Sequence, residues 1–140
     1  MIRNLETGKE TPLNLPLTRL RWSGDGNFIA GVDSTLTKTR EGDISICPAG
    51  SGPCEKLTKG YNPVWSRNDS HIYFLRASEF TDGVELWRIS REGRDETWIA
   101  DLRPMYPIGH IYDVSPKGEI VYVQFKPGKQ ELWLMDFLNR

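Results

Sequence analysis

Two cysteines, Cys47 and Cys54, stand with six residues between them in the stretch SICPAGSGPC, and they are the side chains of this chain best suited to chemistry. Paired thiols can hold a metal, exchange with another disulfide, or close a covalent loop. A structural zinc needs two further ligands, yet the two histidines, His71 and His110, fall in a strand and a connection far off in sequence. A dithiol redox site needs Cys-x-x-Cys in a βαβ setting, and neither is present. A disulfide and two reduced thiols packed as small apolar groups stay open. Closing this loop would stabilise by about 2.5 kcal/mol on a chain-entropy basis, and by less where two prolines already restrict the turn.

The other candidate groups resolve into turns. Ser51 in AGSGP superficially resembles a nucleophile elbow, but that device needs Gly-x-Ser-x-Gly between a strand and a helix, and no helix follows. Glu92, Asp95 and Glu96 crowd one polar turn, where carboxylates usually solvate a hairpin. Asn68-Asp69-Ser70 has the form of a glycan acceptor, but the same residues are needed to turn the chain. No catalytic residue, metal ligand set or cofactor is therefore expected, and the expectation is a non-enzyme.

These residues are positioned by a chain of 140 residues, the length of one ordinary domain. Its 18 basic and 19 acidic residues leave a formal charge of −1 without runs of one sign, so nothing draws it to nucleic acid or an anionic membrane surface. No stretch has the roughly 18 apolar residues of a membrane span, and MIRNLETGKE lacks the basic-then-apolar profile of a secretory signal. The chain is expected to be soluble, and its opening residues read like the middle of a folded unit cut from a longer protein. Its 13 Gly, 9 Pro and 11% aromatic residues point to many turns between short, well-packed strands, hence to an all-β protein.

A repeat organises those strands. LRWSGDGNFIAGV (20–32), PVWSRNDSHIYFL (63–75) and IYDVSPKGEIVYV (111–123) each run from an apolar strand through Ser and a polar turn into a second apolar strand. Ser23, Ser66 and Ser115 are spaced by 43 and 49 residues. Asp25-Gly26, Asn68-Asp69 and Lys117-Gly118 supply residues that tolerate positive φ. Third strands follow as DISIC (43–47), VELWRIS (84–90) and QELWLMDF (130–137), and fourth strands as CEKLT (54–58) and ETWIA (96–100). Four antiparallel strands per repeat of this length are the arithmetic of a β-propeller blade. The expected layout is the outer strand of one blade over 2–15, blades over 18–58 and 61–102, and an incomplete blade over 108–140. Three blades fall short of the roughly four or more that a closed propeller needs. Two chains exchanging the KETPLNL strand would make a six-bladed homodimer, unless the chain is part of a longer one. Trp22, Trp65, Trp87 and Trp133 fall at repeated positions and, with Tyr122 and Phe137, are expected as core between blades.

VWSRNDSHIYFL followed by VELWRISREGRDETWIADL resembles the WD-like repeats of TolB-type propellers, in which an apolar residue precedes Trp-Ser-Pro-Asp-Gly and a later strand has the form Leu-Trp-x-Met-Asp. DVSPKGEIVYV and ELWLMDF fit that pattern, and RWSGDGNFIA departs from it with Gly24 where proline is usual. The resemblance covers essentially the whole chain and implies a propeller. It leaves function among periplasmic scaffolds, gating domains of prolyl-oligopeptidase-like peptidases and sensor domains of bacterial membrane-anchored regulators. The Cys-Pro-Ala-to-Pro-Cys hairpin is similar to one found in extracytoplasmic bacterial proteins of this repeat class, which implies a Cys47–Cys54 disulfide and a periplasmic or secreted location.

Propellers bind through loops at one rim, where side chains are free of packing duties. Here those loops are LPLTR, TKGYNP and LRPMYPIG between blades, and DSTLTKTRE, ASEFTDG and KPGK within them. Arg19, Arg40, Tyr61, Phe80, Arg103, Tyr106 and His110 are the candidate rim residues. The expected function is a non-catalytic interaction or scaffold module that binds a protein or peptide partner. The alternatives are the propeller portion of a prolyl-oligopeptidase-like peptidase and a self-assembling fragment without a ligand.

Overall fold

The alternation of apolar and polar residues read above becomes a series of antiparallel strands in a computed structural model, which describes residues 1–33, 41–79, 83–102, 112–126 and 129–136, with backbone alone from 124 onward. Every regular element among the described residues is a strand. A short hairpin opens the chain, β1 (Ile2–Arg3) with β2 (Glu10–Thr11). Asn4 shapes its turn, its side-chain oxygen accepting from the Glu6 and Thr7 amides at 2.9 and 2.8 Å.

Seven strands then pair in chain order: β3 (Leu17–Trp22), β4 (Phe28–Asp33), β5 (Gly42–Pro48), β6 (Glu55–Trp65), β7 (His71–Ala77), β8 (Val84–Ser90) and β9 (Thr97–Asp101). The last three, β10 (Tyr112–Val114), β11 (Glu119–Lys126) and β12 (Lys129–Asp136), form a sheet of their own. Strand β6 belongs to two blades at once. Its first half closes the first blade by pairing with β5, from Gly42↔Gly60 to Ile46↔Glu55. Its second half opens the next blade by pairing with β7, from Tyr61↔Leu75 to Trp65↔Ile72.

The handover between the halves is local chemistry. Gly60 is required because a Cβ there would lie 2.6 Å from the Phe74 ring and 2.7 Å from the Leu75 carbonyl oxygen. Asn62 then takes φ of 50° within a bulge between Tyr61 and Val64, a conformation that asparagine tolerates better than most residues. Arg19, 43 residues earlier, repeats this with φ of 54° in the bulge between Thr18 and Arg21.

The serine turns also repeat. The amides of Gly26, Asp69 and Gly118 each donate to a serine carbonyl at 3.0 Å, from Ser23, Ser66 and Ser115 respectively. The three donors have φ of 73°, 55° and 83°. Each serine hydroxyl accepts from the amide that starts the next strand: Phe28 at 3.0 Å, His71 at 3.0 Å and Glu119 at 3.1 Å. The third turn closes one residue sooner, four positions after its serine instead of five.

Apolar side chains fill the spaces between the sheets, as in a propeller. Ala30, Val32, Ile44 and Ile46 of the first blade meet Trp65, Ile72, Phe74 and Ile89 of the second. Leu75, Leu86, Ala100 and Leu102 of the second meet Tyr112, Ile120 and Tyr122 of the third, which places Tyr122 in the core as expected. Trp65 is 8% exposed and its indole donates to the Arg21 carbonyl of the first blade at 3.0 Å. Trp87 is half-buried against the first of these cores. Trp22 departs from expectation at 48% exposed, because its face of the first blade has no further blade against it among the described residues. The side chain of Trp133, and Phe137 altogether, lie outside the described residues.

Candidate functional site

Strands β3 and β10 start, and β6 passes from one blade to the next, at the same end of the molecule, and three residues tie these points together. The Arg19 guanidinium donates to the Asn62 side-chain oxygen at 2.5 Å, joining first blade to second. The buried Tyr112 hydroxyl donates to the Asn62 carbonyl at 2.8 Å, joining third to second. Burial holds the Tyr112 hydroxyl well above the usual phenol range, so it stays a donor at any physiological pH. A buried donor meeting a backbone acceptor is a fixed post, so the three blades are held rigidly to one another at this end.

Of the predicted rim residues, Arg19 is exposed at this end. Tyr61 is corrected: it is 2% exposed and packs in the core between second and third blades. The reason is that TKGYNP is strand and bulge rather than loop, so the glycine and asparagine that suggested a turn bend β6 while Tyr61 points inward. Arg40, Phe80, Arg103, Tyr106 and His110 lie outside the described residues. Asn62 and Tyr112 were not singled out by sequence, although Asn62 sits one repeat length after Arg19 and could have been found by aligning the two.

At the opposite end the serine turns carry the polar network. The Asp69 carboxylate, 8% exposed, accepts from the Gly24 amide at 2.7 Å and the Asp25 amide at 2.9 Å, linking the turn of one blade to the next. This accounts for the departure at Gly24, since proline would have no amide hydrogen to donate. Ser70 and His71 come within 2.7 Å, Oγ to Nδ1. The Ser70 hydroxyl donates to the Asn68 side-chain oxygen at 2.6 Å, so its one proton is committed there and the imidazole is the donor to it. Burial and the Arg88 charge lower the His71 pKa. The pair closes a turn and does not activate a nucleophile.

Cys47 and Cys54 form a disulfide across the β5–β6 hairpin. That hairpin and the β8–β9 turn frame a cleft of about 390 Å³, floored by Phe28, Ile46 and Pro48 and edged by Glu55, Arg91 and Arg94. The Arg91 guanidinium sits 5.1 Å from the centre of the Phe28 ring. Arg76 of β7 lies over Trp87 of β8 at 4.8 Å and pairs with Glu96 at 2.9 Å, while also donating to the Lys59 carbonyl of β6 at 2.8 Å. Glu96, read from sequence as a solvated turn charge, is thus part of a clamp between first and second blades, with Thr58 donating to it.

Strand order, blade packing and turn geometry together define a β-propeller. The solved structures with this fold include the β-propeller domain of the Trilobed protease from Pyrococcus furiosus, described as having an open velcro topology, at 20% identity over 86% of this chain and 38% of that one, with a TM-score of 0.64. They also include TolB from Acinetobacter baumannii, at 18% identity over 89% of this chain and 30% of that one, with a TM-score of 0.66. The chain thus spans about a third of the length of these structures, and at such identities the likeness is one of fold: a TolB-like propeller. No protein-family profile matches the chain. No curated protein matches it either.

Proposed function

We propose that this chain is a non-catalytic propeller module that binds a protein or peptide partner through its loop rim and works outside the reducing cytoplasm. The observation that carries the reading is the Arg19–Asn62–Tyr112 ladder, which ties three blades together. A preorganised base lowers the ordering cost of binding, and Arg19, Arg40, Phe80, Arg103, Tyr106 and His110 are the proposed contact residues. The disulfide supports the extracytoplasmic location, since such bonds are rare in reducing compartments.

The likeness to a protease's propeller domain favours one second reading, a propeller that gates a peptidase carried elsewhere in a longer protein. Affinity capture from extracytoplasmic extract, with wild type and with Arg19→Ala, Arg103→Ala and Tyr106→Ala, tests the rim. A partner retained by wild type and lost from the variants is expected. Capture that the variants leave unchanged would move binding off the rim, and co-purification of a hydrolase domain in the same polypeptide would favour the second reading.

A further inference from the structure

The SICPAGSGPC hairpin has a place in the fold that binding at the rim leaves unused. It forms one wall of the cleft of about 390 Å³ between the first and second blades, and the β8–β9 turn forms the other. Both walls are fixed. The Cys47–Cys54 disulfide closes the hairpin, and the Ala49 amide ties it to the Asn27 carbonyl at 2.8 Å. Opposite, the Arg91 amide donates to the Ser70 carbonyl at 2.9 Å and the Arg94 amide to the Ser90 hydroxyl at 3.0 Å. Walls that are set in advance cost little to order on binding.

The floor of the cleft is apolar where the blade repeat does not require it. Phe28 pairs with Pro48 and Ala30 with Ile46 in the first blade, as His71 pairs with Ser90 and Tyr73 with Arg88 in the second. The positions that hold Phe28, Ile46 and Pro48 therefore hold His71, Arg88 and Ser90 one blade later. Blades of this chain accept polar side chains there, so stacking one blade on the next does not by itself call for an apolar patch in an open cleft. The charges at its edge are also patterned. Arg91 lies 3.8 Å from Glu92 and over the Phe28 ring, so those two charges answer each other. Arg94 on one wall and Glu55 on the other are exposed, and neither side chain has an ion pair or a hydrogen bond among the described residues.

We infer that this cleft is a second binding site, which takes a short apolar peptide with both ends free. The peptide's carboxylate meets Arg94, its ammonium meets Glu55, and its side chains lie on Phe28, Ile46, Pro48 and Pro53. An arginine fork suits a carboxylate, and a carboxylate accepts from an ammonium. A ligand of one sign would meet a wall of its own charge, and an uncharged one would leave both walls unanswered. The cleft falls at the small end of ligand pockets, which run from roughly 300 to 1,000 Å³, so it suits a residue or two. It lies at the serine-turn end, opposite the Arg19–Asn62–Tyr112 ladder, and is independent of binding at the rim.

Calorimetric titration of the purified chain with the dipeptide leucyl-phenylalanine tests this, beside its N-acetylated and its C-amidated forms. Saturable binding of the free dipeptide is expected, with each cap weakening it about five-fold, as for an exposed ion pair. Arg94→Gln is expected to weaken the free dipeptide by the same factor and to leave the affinity of the amidated form unchanged, since that form has no carboxylate to lose. Glu55→Gln is expected to do the same with the acetylated form. Both side chains are exposed, so the variants fold as wild type does, and circular dichroism melting checks this. Arg19→Ala, at the other end, is expected to bind the dipeptide as wild type does. No saturable binding up to about 10 mM, caps that change nothing, or an Arg94→Gln that weakens free and amidated forms alike would overturn the inference. So would loss of binding in Arg19→Ala. A chain that binds the dipeptide but captures no rim partner leaves this site standing, and one that captures a rim partner but not the dipeptide refutes it alone.

Discussion

A carboxylate that accepts two amides of a neighbouring blade decides what Asp69 is for. Its counterparts in the other turns, Gly26 and Gly118, share its positive φ but bring no side chain. Asp69→Gly therefore keeps the backbone relaxed and removes only the carboxylate, leaving the Gly24 and Asp25 amides without their acceptor. A loss of about 1–3 kcal/mol in urea unfolding is expected, as for charge-assisted bonds to a buried group. His71 gives the residue-scale pH dependence. Burial first, then the Arg88 charge, hold its pKa below the usual 6.5, so the unfolded chain binds the proton more readily than the folded one. By linkage this contribution is present above pH 6.5 and is lost as pH falls through the folded value. Unfolding free energy measured between about pH 7 and 5 is expected to decline less steeply in His71→Gln. Glu96 adds to the fall at lower pH: burial alone would raise its pKa, but hydrogen bonds from Arg76 and Thr58 and the Arg76 charge bring it below 4.5.

At the scale of the element, the SICPAGSGPC hairpin is a covalent staple on the third and fourth strands of the first blade. Cys47 is fully buried and Cys54 exposed, so replacing both by alanine keeps the packing at Cys47 largely apolar. Cys47→Ala with Cys54→Ala is expected to lower stability by up to about 2.5 kcal/mol, and reductant is expected to lower the wild-type midpoint without shifting the variant's. Elements that repeat were legible in the sequence because each turn must supply a serine and a positive-φ residue before an apolar strand. Those requirements are local, and they show in Ser23, Ser66 and Ser115 alike. TKGYNP was not legible as strand, because the residues that break an ordinary strand are the same ones that form its bulge. Gly60 is there for the Phe74 ring, a demand that comes from a strand more than ten residues away.

Taken as a whole molecule, the row of blades could be read from the repeat, but what joins them could not. Asp69 to Gly24, Trp65 to Arg21 and Tyr112 to Asn62 connect residues 45, 44 and 50 positions apart, and no short-range pattern encodes such pairs. The exposure of Trp22 has the same origin: by type and position it matches Trp65, and only the presence or absence of a neighbouring blade separates them. The candidate site follows suit, since Arg19 could be proposed from its sequence while its bond to Asn62, and that of Tyr112 to Asn62, depend on blades meeting. Strand β6 carries a mechanical consequence as well. Because one unbroken strand serves two blades, there is no seam between them: a tug applied along the chain loads the hydrogen bonds on both sides of β6 together, and first and second blades bear tension as a single body.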